Sequence, residues 1–568
     1  MSMWRGVPPP RSSSRSPELE TRVLVPGAPN ACYEVRVGSG SDVRVRSRWD
    51  LAAVLLLVAL AAIILGTFTG YGTTWDEAYH LDYGDLILAW YRSWFHDRRA
   101  LDFLDLYLYG GLFDAPVQFV ARMLPLDLYE GRHLVNAAVG LAGIAATWRM
   151  GVLVGGPAAG FAAAALLALT PTFYGHAFAN PKDIPFATLS AVALWAALKS
   201  ARRAPRIPWL WVLAAGAAAG AAMGVRMGGV ALLAWLGLAW VGQVAARAPR
   251  PPWRETIGSV ALRFAAATAV AWAVMLVFWP WAQLAPFTRP IEALRAASHF
   301  QTVNPVLFAG RTVPSNALPW TYLPTWFAVT LPEAYLVAAL AAALLVLGML
   351  VGWQARPSAA ALVELAVLGL AAIALPVAAI AIGSNIYDAQ RHFLFALPPL
   401  AVLSGTALSA FARSRAPAAL RVLLVCAAAA ASAVTLVDAV RLHPYEYVYF
   451  NRLIGGGLQG AAGRFETDYW GASYREGAEW LLREYQSPPG RVTTVANCSL
   501  PFLTGYWLAR TPEGRARFRT VRLSPSTDVF LATTRYGCAS GVPGRVLHTV
   551  EREGVPLLYV FELRSPER

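Results

Sequence analysis

Residues 73–80 read TTWDEAYH and set two adjacent carboxylates, Asp76 and Glu77, just beyond a long apolar run. A helix start explains such a pair, because acidic residues are favoured in a first turn and Thr73 or Thr74 can cap it. Three further segments carry groups of the same kind. HAFANPKDIPFA (176–187) supplies His176, Asn180, Lys182 and Asp183; SNIYDAQRHFLFALPPL (384–400) supplies Tyr387, Arg391 and His392; GVRMGG (224–229) supplies Arg226. Ionisable groups at a membrane boundary are costly and need partners or a function. Each segment alone is explained by a structural ion pair or a snorkelling lysine. Four acid- or base-bearing segments at one level point instead to a shared site.

Paired carboxylates and several cations suit sugar transfer from a lipid-linked phosphate to a hydroxyl. The hydroxyl has a high pKa, so a carboxylate must take its proton as the new bond forms. The phosphate leaving group needs no proton, but it needs positive charge where its own charge develops. Arginine meets that need with a planar fork that binds phosphate bidentately. Asp76 or Glu77 is the expected base, with Arg391, Lys182 and Arg226 around the phosphate. His80, His176, Asn180, Asp183 and Tyr387 complete the candidate set. There is no GxxxxGK[ST] loop for nucleotide phosphates.

The elements that hold these residues belong to a 568-residue chain that is 57% hydrophobic and only 14% charged, with a mean hydropathy of +0.45. Soluble chains carry about 25% charged residues, so a polytopic membrane protein is expected. The net charge of +14 comes from arginines in short loops between apolar runs, which argues for membrane topology and against nucleic acid. Spanning helices need ~20 apolar residues. Such runs begin at Leu51 and recur near 133–153, 156–174, 184–199, 209–225, 227–245, 257–279, 331–352, 360–382, 393–411 and 419–440, about eleven in all.

Loops 199–206, 246–254, 354–358 and 412–421 carry the arginines and are expected in the cytoplasm. Residues 70–131, 175–183, 280–330, 383–392 and everything beyond 441 then share the outer face. Residues 1–49 are rich in Arg, Ser and Pro and are expected to form a disordered basic cytoplasmic tail. The long outer loops 70–131 and 280–330 are expected to hold amphipathic helices along the membrane surface. Residues 443–568 hold no spanning run and read as a small soluble α/β domain, with a helix over 473–486 and several short strands. The expected fold is therefore an all-α polytopic membrane protein with a C-terminal extracytoplasmic α/β domain. Cys498 and Cys538 fall in that domain, where a disulfide and two buried thiols are both open. No internal repeat is evident.

WDEAYH after a first span, HAFANPKDIPFA and YDAQRHFLFALPPL together resemble the GT-C superfamily of polytopic glycosyltransferases over roughly residues 50–411. The resemblance is strongest to the family 39 branch, which includes protein O-mannosyltransferases and lipid A aminoarabinose transferases. It implies a polyprenyl-phosphate sugar donor and an inverting reaction, with Asp76 as base and Glu77 beside it. It also implies that Arg391 and His392 lie near the donor phosphate, with Lys182 and Asp183 as further site residues. The tail, with GRFETDYWGASYREG (463–477), is similar to that of bacterial relatives and lacks a close match to β-trefoil inserts, which argues against a protein acceptor. In that segment Tyr469, Trp470, Glu466 and Asp468 either bind sugar or, the preferred reading, pack the domain against the outer loops.

A monophosphate can be neutralised by basic side chains, so no cofactor is expected to be required. The alternative is a divalent cation held by Asp76, Glu77 and Asp183. The expected partners are a lipid-linked donor, a glycan, lipid or protein acceptor, and the membrane. The Ala- and Arg-rich composition fits a bacterial inner membrane, with the outer face in the periplasm. A transporter or flippase is the competing reading, although such proteins show repeats and place charge near the bilayer midplane. A non-catalytic scaffold is the third.

Overall fold

Why the chain crosses a membrane so often follows from its alanine- and leucine-rich runs, which combine high helix propensity with apolar surface. The computed structural model describes residues 47–247, 252–298, 303–488 and 490–563. Among them, nine helices are long and apolar enough to span a bilayer: Arg48–Gly70, Leu128–Gly155, Asp183–Ala201, Met227–Ala245, Thr256–Leu276, Glu333–Leu350, Ala359–Ala381, Arg391–Ala412 and Ala418–Leu442. The other two expected spans depart from the simple form. Residues 156–174 form a pair, Pro157–Ala168 and Pro171–Ala179, bent by 64°. The break falls at Thr170-Pro171, where proline has no N–H to continue the helix ladder. The helix Trp209–Met223 has only 15 residues, short of a typical span.

The expected tail 1–49 lies outside the described residues up to residue 46, and its end is corrected. The first helix already starts at Arg48, where the Ser47 hydroxyl accepts the Asp50 N–H at 3.2 Å.

Loop 70–131 contains the helices Trp75–Arg92 and Asp114–Met123. Loop 280–330 contains Arg289–Ser298, a hairpin of β1 (Pro305–Phe308) and β2 (Arg311–Pro314), and Tyr322–Thr330. The hairpin was not anticipated from the sequence. The C-terminal part forms a five-stranded sheet of β3 (Thr493–Asn497), β4 (Phe518–Thr520), β5 (Val529–Thr533), β6 (Gly544–Arg552) and β7 (Val555–Leu563). Its order is β4-β3-β5-β7-β6, parallel among β4, β3 and β5 and antiparallel beyond. The amphipathic helix Tyr474–Glu484 lies on this sheet, and Gly477 leaves room for Leu531 and Leu558. A disulfide joins Cys498 to Cys538.

The sheet domain is seated on one end of the helices. Trp507 Nε1 donates to Thr73 Oγ1 at 3.1 Å, Arg510 meets Glu130 at 2.9 Å, and Asn451 donates to the Ala328 and Leu331 carbonyls. A Cβ at Gly72 would overlap the Ala472 carbonyl, so backbone meets backbone there. Among the described residues, the segments assigned to the outer face meet at this end: Arg535 pairs with Asp388, the Gly310 N–H donates to the Arg464 carbonyl, and His176 meets Tyr469. Described parts of the Arg-rich loops meet at the other, where Arg247 donates to the Arg202 carbonyl, the Arg415 N–H donates to Gln354, and Arg202 pairs with Glu364.

Candidate functional site

A capping box starts the Trp75–Arg92 helix. The Thr74 N–H donates to Glu77 Oε2 at 2.8 Å, reciprocating the cap at Thr74. Successive side chains on a helix point roughly 100° apart, and this separates the acidic pair. Glu77 turns inward, 2% exposed, and its second oxygen meets His133 Nε2 at 2.8 Å. Asp76 turns to a cavity of about 860 Å³. His80, one turn on, lines the same cavity, and its Nδ1 is held at 2.9 Å by Asp114. The neighbouring Asp76 and Glu77 therefore do different work: the second builds the helix start that aims the first.

Opposite Asp76, Arg391 stands at the start of the Arg391–Ala412 span. Its Nη1 lies 3.5 Å from Asp76 and 3.3 Å from Asp183, and its Nη2 lies 2.9 Å from Asp388. The guanidinium also lies over the rings of Trp470 and Tyr387, at 5.0 and 5.4 Å. It is only 3% exposed, so its three carboxylate partners fix it in place. Burial pushes the Asp76 carboxyl up, but Lys182, Arg391 and His80 outweigh that and hold it below the usual carboxylate range.

Lys182 lines the cavity with its ammonium 4.7 Å above the Tyr109 ring, and among the described residues it makes no ion pair. Asn180 shapes this turn. Its Oδ1 accepts the N–H groups of Lys182 and Asp183, and its Nδ2 donates to Asp183 Oδ2 at 2.9 Å. Asp183 sits behind the cavity wall between Arg391 and Arg226, the latter at 2.5 Å. His176 is buried deeper, against Tyr469 Oη at 2.9 Å and Asn180. His392 packs edge-on against Tyr387.

Of the residues singled out from the sequence, the structure thus brings Asp76, His80, Lys182, Tyr387 and Arg391 to the cavity. Asp183, Asn180, His176 and Arg226 lie behind its wall, His392 lies beside Tyr387, and Glu77 faces away. The oxygen trio Asp76, Glu77 and Asp183 does not converge, because both Glu77 oxygens are engaged elsewhere and the two aspartates share Arg391. No group of three or more His, Cys, Asp or Glu suited to a metal occurs among the described residues.

Asp388 and Arg535 were not singled out from the sequence. Asp388 is fully buried and bridges Arg391 to Arg535 of the sheet domain. Its signal was its place three residues before Arg391. Arg535 follows β5 and lies 4.0 Å from the Trp75 ring, closing the cavity from above. Nothing in its strand-like surroundings marks it. FETDYWG packs within the C-terminal part and also contributes to the cavity wall. Asp468 is held by the Tyr447 hydroxyl, the Gly471 N–H and Ser473, and it lines the cavity together with Tyr469 and Trp470.

No family model matches the chain, and no curated protein matches it. Among solved structures it is similar to ArnT from Cupriavidus metallidurans bound to undecaprenyl phosphate, at 16% identity and a TM-score of 0.48, covering 89% of this chain and 97% of that one. It is also similar to the oligosaccharyltransferase of Archaeoglobus fulgidus in its apo form, at 13% identity and a TM-score of 0.43, covering 84% of this chain and 65% of that one. A third similar structure is AglB from Archaeoglobus fulgidus in complex with an inhibitory peptide and a dolichol-phosphate, at 12% identity and a TM-score of 0.44, covering 86% of this chain and 69% of that one.

Proposed function

We propose that the chain is an inverting membrane glycosyltransferase, moving a sugar from a polyprenyl-phosphate donor to an acceptor hydroxyl. The observation that carries this reading is the pairing of Asp76 and Arg391, 3.5 Å apart, at the wall of one large cavity. In the reaction the acceptor oxygen attacks the anomeric carbon, Asp76 takes the hydroxyl proton, and the bond from that carbon to the phosphate oxygen breaks. The electron pair leaves with the polyprenyl phosphate, whose charge Arg391 and Lys182 receive. Asp183 and Asp388 hold Arg391, and Arg226 balances Asp183 from behind.

Charge balance also times the base. Without donor, Asp76 faces Arg391 and Lys182 and is held strongly ionised, which makes it a weak proton acceptor. A bound phosphate occupies those cations, so the Asp76 pKa rises towards the range where a carboxylate is an effective base. The shared end of the helices would face the periplasm, with the N-terminus in the cytoplasm and the chain in the bacterial inner membrane. No cofactor is needed in this reading, because the cations are supplied by side chains.

The test is mass-spectrometric detection of free polyprenyl phosphate released by the purified protein from lipid-linked sugars in the presence of membrane glycolipids. Asp76→Asn is expected to lower release by ~10²–10⁴. Undiminished release by a folded Asp76→Asn protein would refute the base assignment, and translocation of donor with no release at all would make the chain a carrier.

A further inference from the structure

A second cavity, of about 430 Å³, lies between the β1–β2 hairpin, the turn after β5, the FETDYWG segment and the start of β7. Its size falls within the ~300–1,000 Å³ of small-molecule sites. Arg535 and Tyr536 line both this cavity and the first, so the two cavities adjoin at these residues. Tyr536 holds a positive φ of 56°, a conformation that bulky residues rarely adopt and that is retained where the surroundings demand it.

Glu466 is the acidic group in the lining of this cavity. Its side chain is 2% exposed, and neither carboxyl oxygen has a hydrogen-bond partner among the described residues. The nearest opposite charge is Arg535 Nε, at 3.6 Å, and the Arg535 fork is already committed to Asp388 and the Tyr469 carbonyl. A buried polar group left without partners costs about 1–3 kcal/mol, so an unsatisfied carboxyl lining a cavity points to a ligand that satisfies it.

The charges indicate which ligand. A cation would meet Arg535, and an anion would find Arg535 already neutralised by Asp388. A neutral hydroxyl can bond to Glu466 or Arg535. Burial pushes the Glu466 carboxyl up to about 8, against the pull of Arg535, so near neutral pH it also carries a proton to donate. Tyr536 and Tyr559 add rings with an apolar face and a polar tip, and Thr312 and Thr467 add hydroxyls. Apolar faces beside paired donors and acceptors match an uncharged sugar ring.

We propose that this second cavity binds an uncharged saccharide unit, the part of a glycan acceptor lying beyond the hydroxyl that is glycosylated in the first cavity. The assignment of the bound sugar as acceptor rests on the transferase reading above; the binding of sugar does not. The acceptor chain passes over Arg535 and Tyr536, the residues common to both cavities.

The test uses the full-length protein in nanodiscs free of glycoside detergent and without donor, with saturation-transfer NMR of maltose, cellobiose and mannobiose against glucuronate and glucosamine. At least one neutral disaccharide is expected to bind more tightly than either charged sugar. Thr312→Trp, which fills the cavity, should weaken that binding at least tenfold. Glu466→Gln, which keeps the shape but alters the hydrogen bonding, should weaken it roughly threefold to tenfold. The proposal fails if no neutral disaccharide binds, if the charged sugars bind as tightly, or if both variants, shown folded by gel filtration, bind as the parent does. Asp76-dependent release of polyprenyl phosphate alongside any of those failures would sink the subsite and leave the transferase standing. Variant-sensitive sugar binding with no such release would do the reverse.

Discussion

The two ends of the helical bundle treat charge in opposite ways. At the Arg-rich end, Arg202 grips the buried Glu364 with a side chain that is itself 42% exposed. At the other end Arg391, only 3% exposed, is shared by Asp76, Asp183 and Asp388. A half-exposed pair is solvated and contributes modestly, whereas a buried cation needs several fixed partners to offset its desolvation. Such burial is a poor route to stability. Its product is a guanidinium held in a fixed position by three carboxylates, as the proposed contact with a phosphate would require. The first end anchors the helices, and the second spends stability on geometry.

The largest break in this contrast should come from Arg391→Ala. Removing one preorganised positive contact from a developing negative charge costs about 10²–10³ in turnover, and single-turnover sugar transfer should fall by that order. At the opposite end Arg202→Ala leaves Glu364 buried without its cation, a loss of about 1–3 kcal/mol. Thermal unfolding should report it, while turnover per folded molecule stays at the parent value; equal damage to turnover would erase the distinction between the ends. Glu77→Gln weakens the capping box and the His133 contact, and cap losses are typically ~1 kcal/mol. Its melting temperature should drop while transfer falls far less than in Asp76→Asn.

Two pH profiles sharpen the picture with smaller effects. Donor binding should raise the Asp76 pKa, so the acidic limb of kcat should lie at higher pH than that of kcat/KM, because the first reports the complex and the second the free enzyme. Coincident limbs would show that the phosphate does not meet the cations facing Asp76. Glu466 has its carboxyl raised from 4.5 to about 8. The protonated form is the one the fold favours, so its contribution is full below about pH 4.5 and is lost as pH rises through about 8. Denaturation midpoints of parent and Glu466→Gln should therefore diverge over that window, the parent weakening more; parallel curves would mean that Glu466 is solvated and ionised.

Most of the helical frame was legible because length and hydropathy decide it. The exceptions have local causes: Thr170-Pro171 breaks one expected span, and Trp209–Met223 is short. At the site, the meeting of WDEAYH, NPKD and QRH could be anticipated from loop polarity alone. The divergence of Asp76 and Glu77 was also written in the sequence, since Thr74 and Glu77 stand at capping-box spacing. Arg535 was not legible. Its role comes from tertiary contact with Asp388, which lies 147 positions away in the chain, and no local pattern encodes such a meeting. The hairpin of β1 and β2 was hidden for a similar reason, because its short strands are stabilised by what they cover, including the bond from the Gly310 N–H to the Arg464 carbonyl.

Arg535 leaves the ribosome well after Asp76, Lys182 and Arg391, yet it completes the wall of the cavity that they line. A partly synthesised molecule would own the acid and the early cations but lack the roof that holds Asp388. On the proposed transferase reading such an intermediate would stay inactive until Arg535 had emerged, so a stop codon placed before Arg535 is expected to abolish transfer.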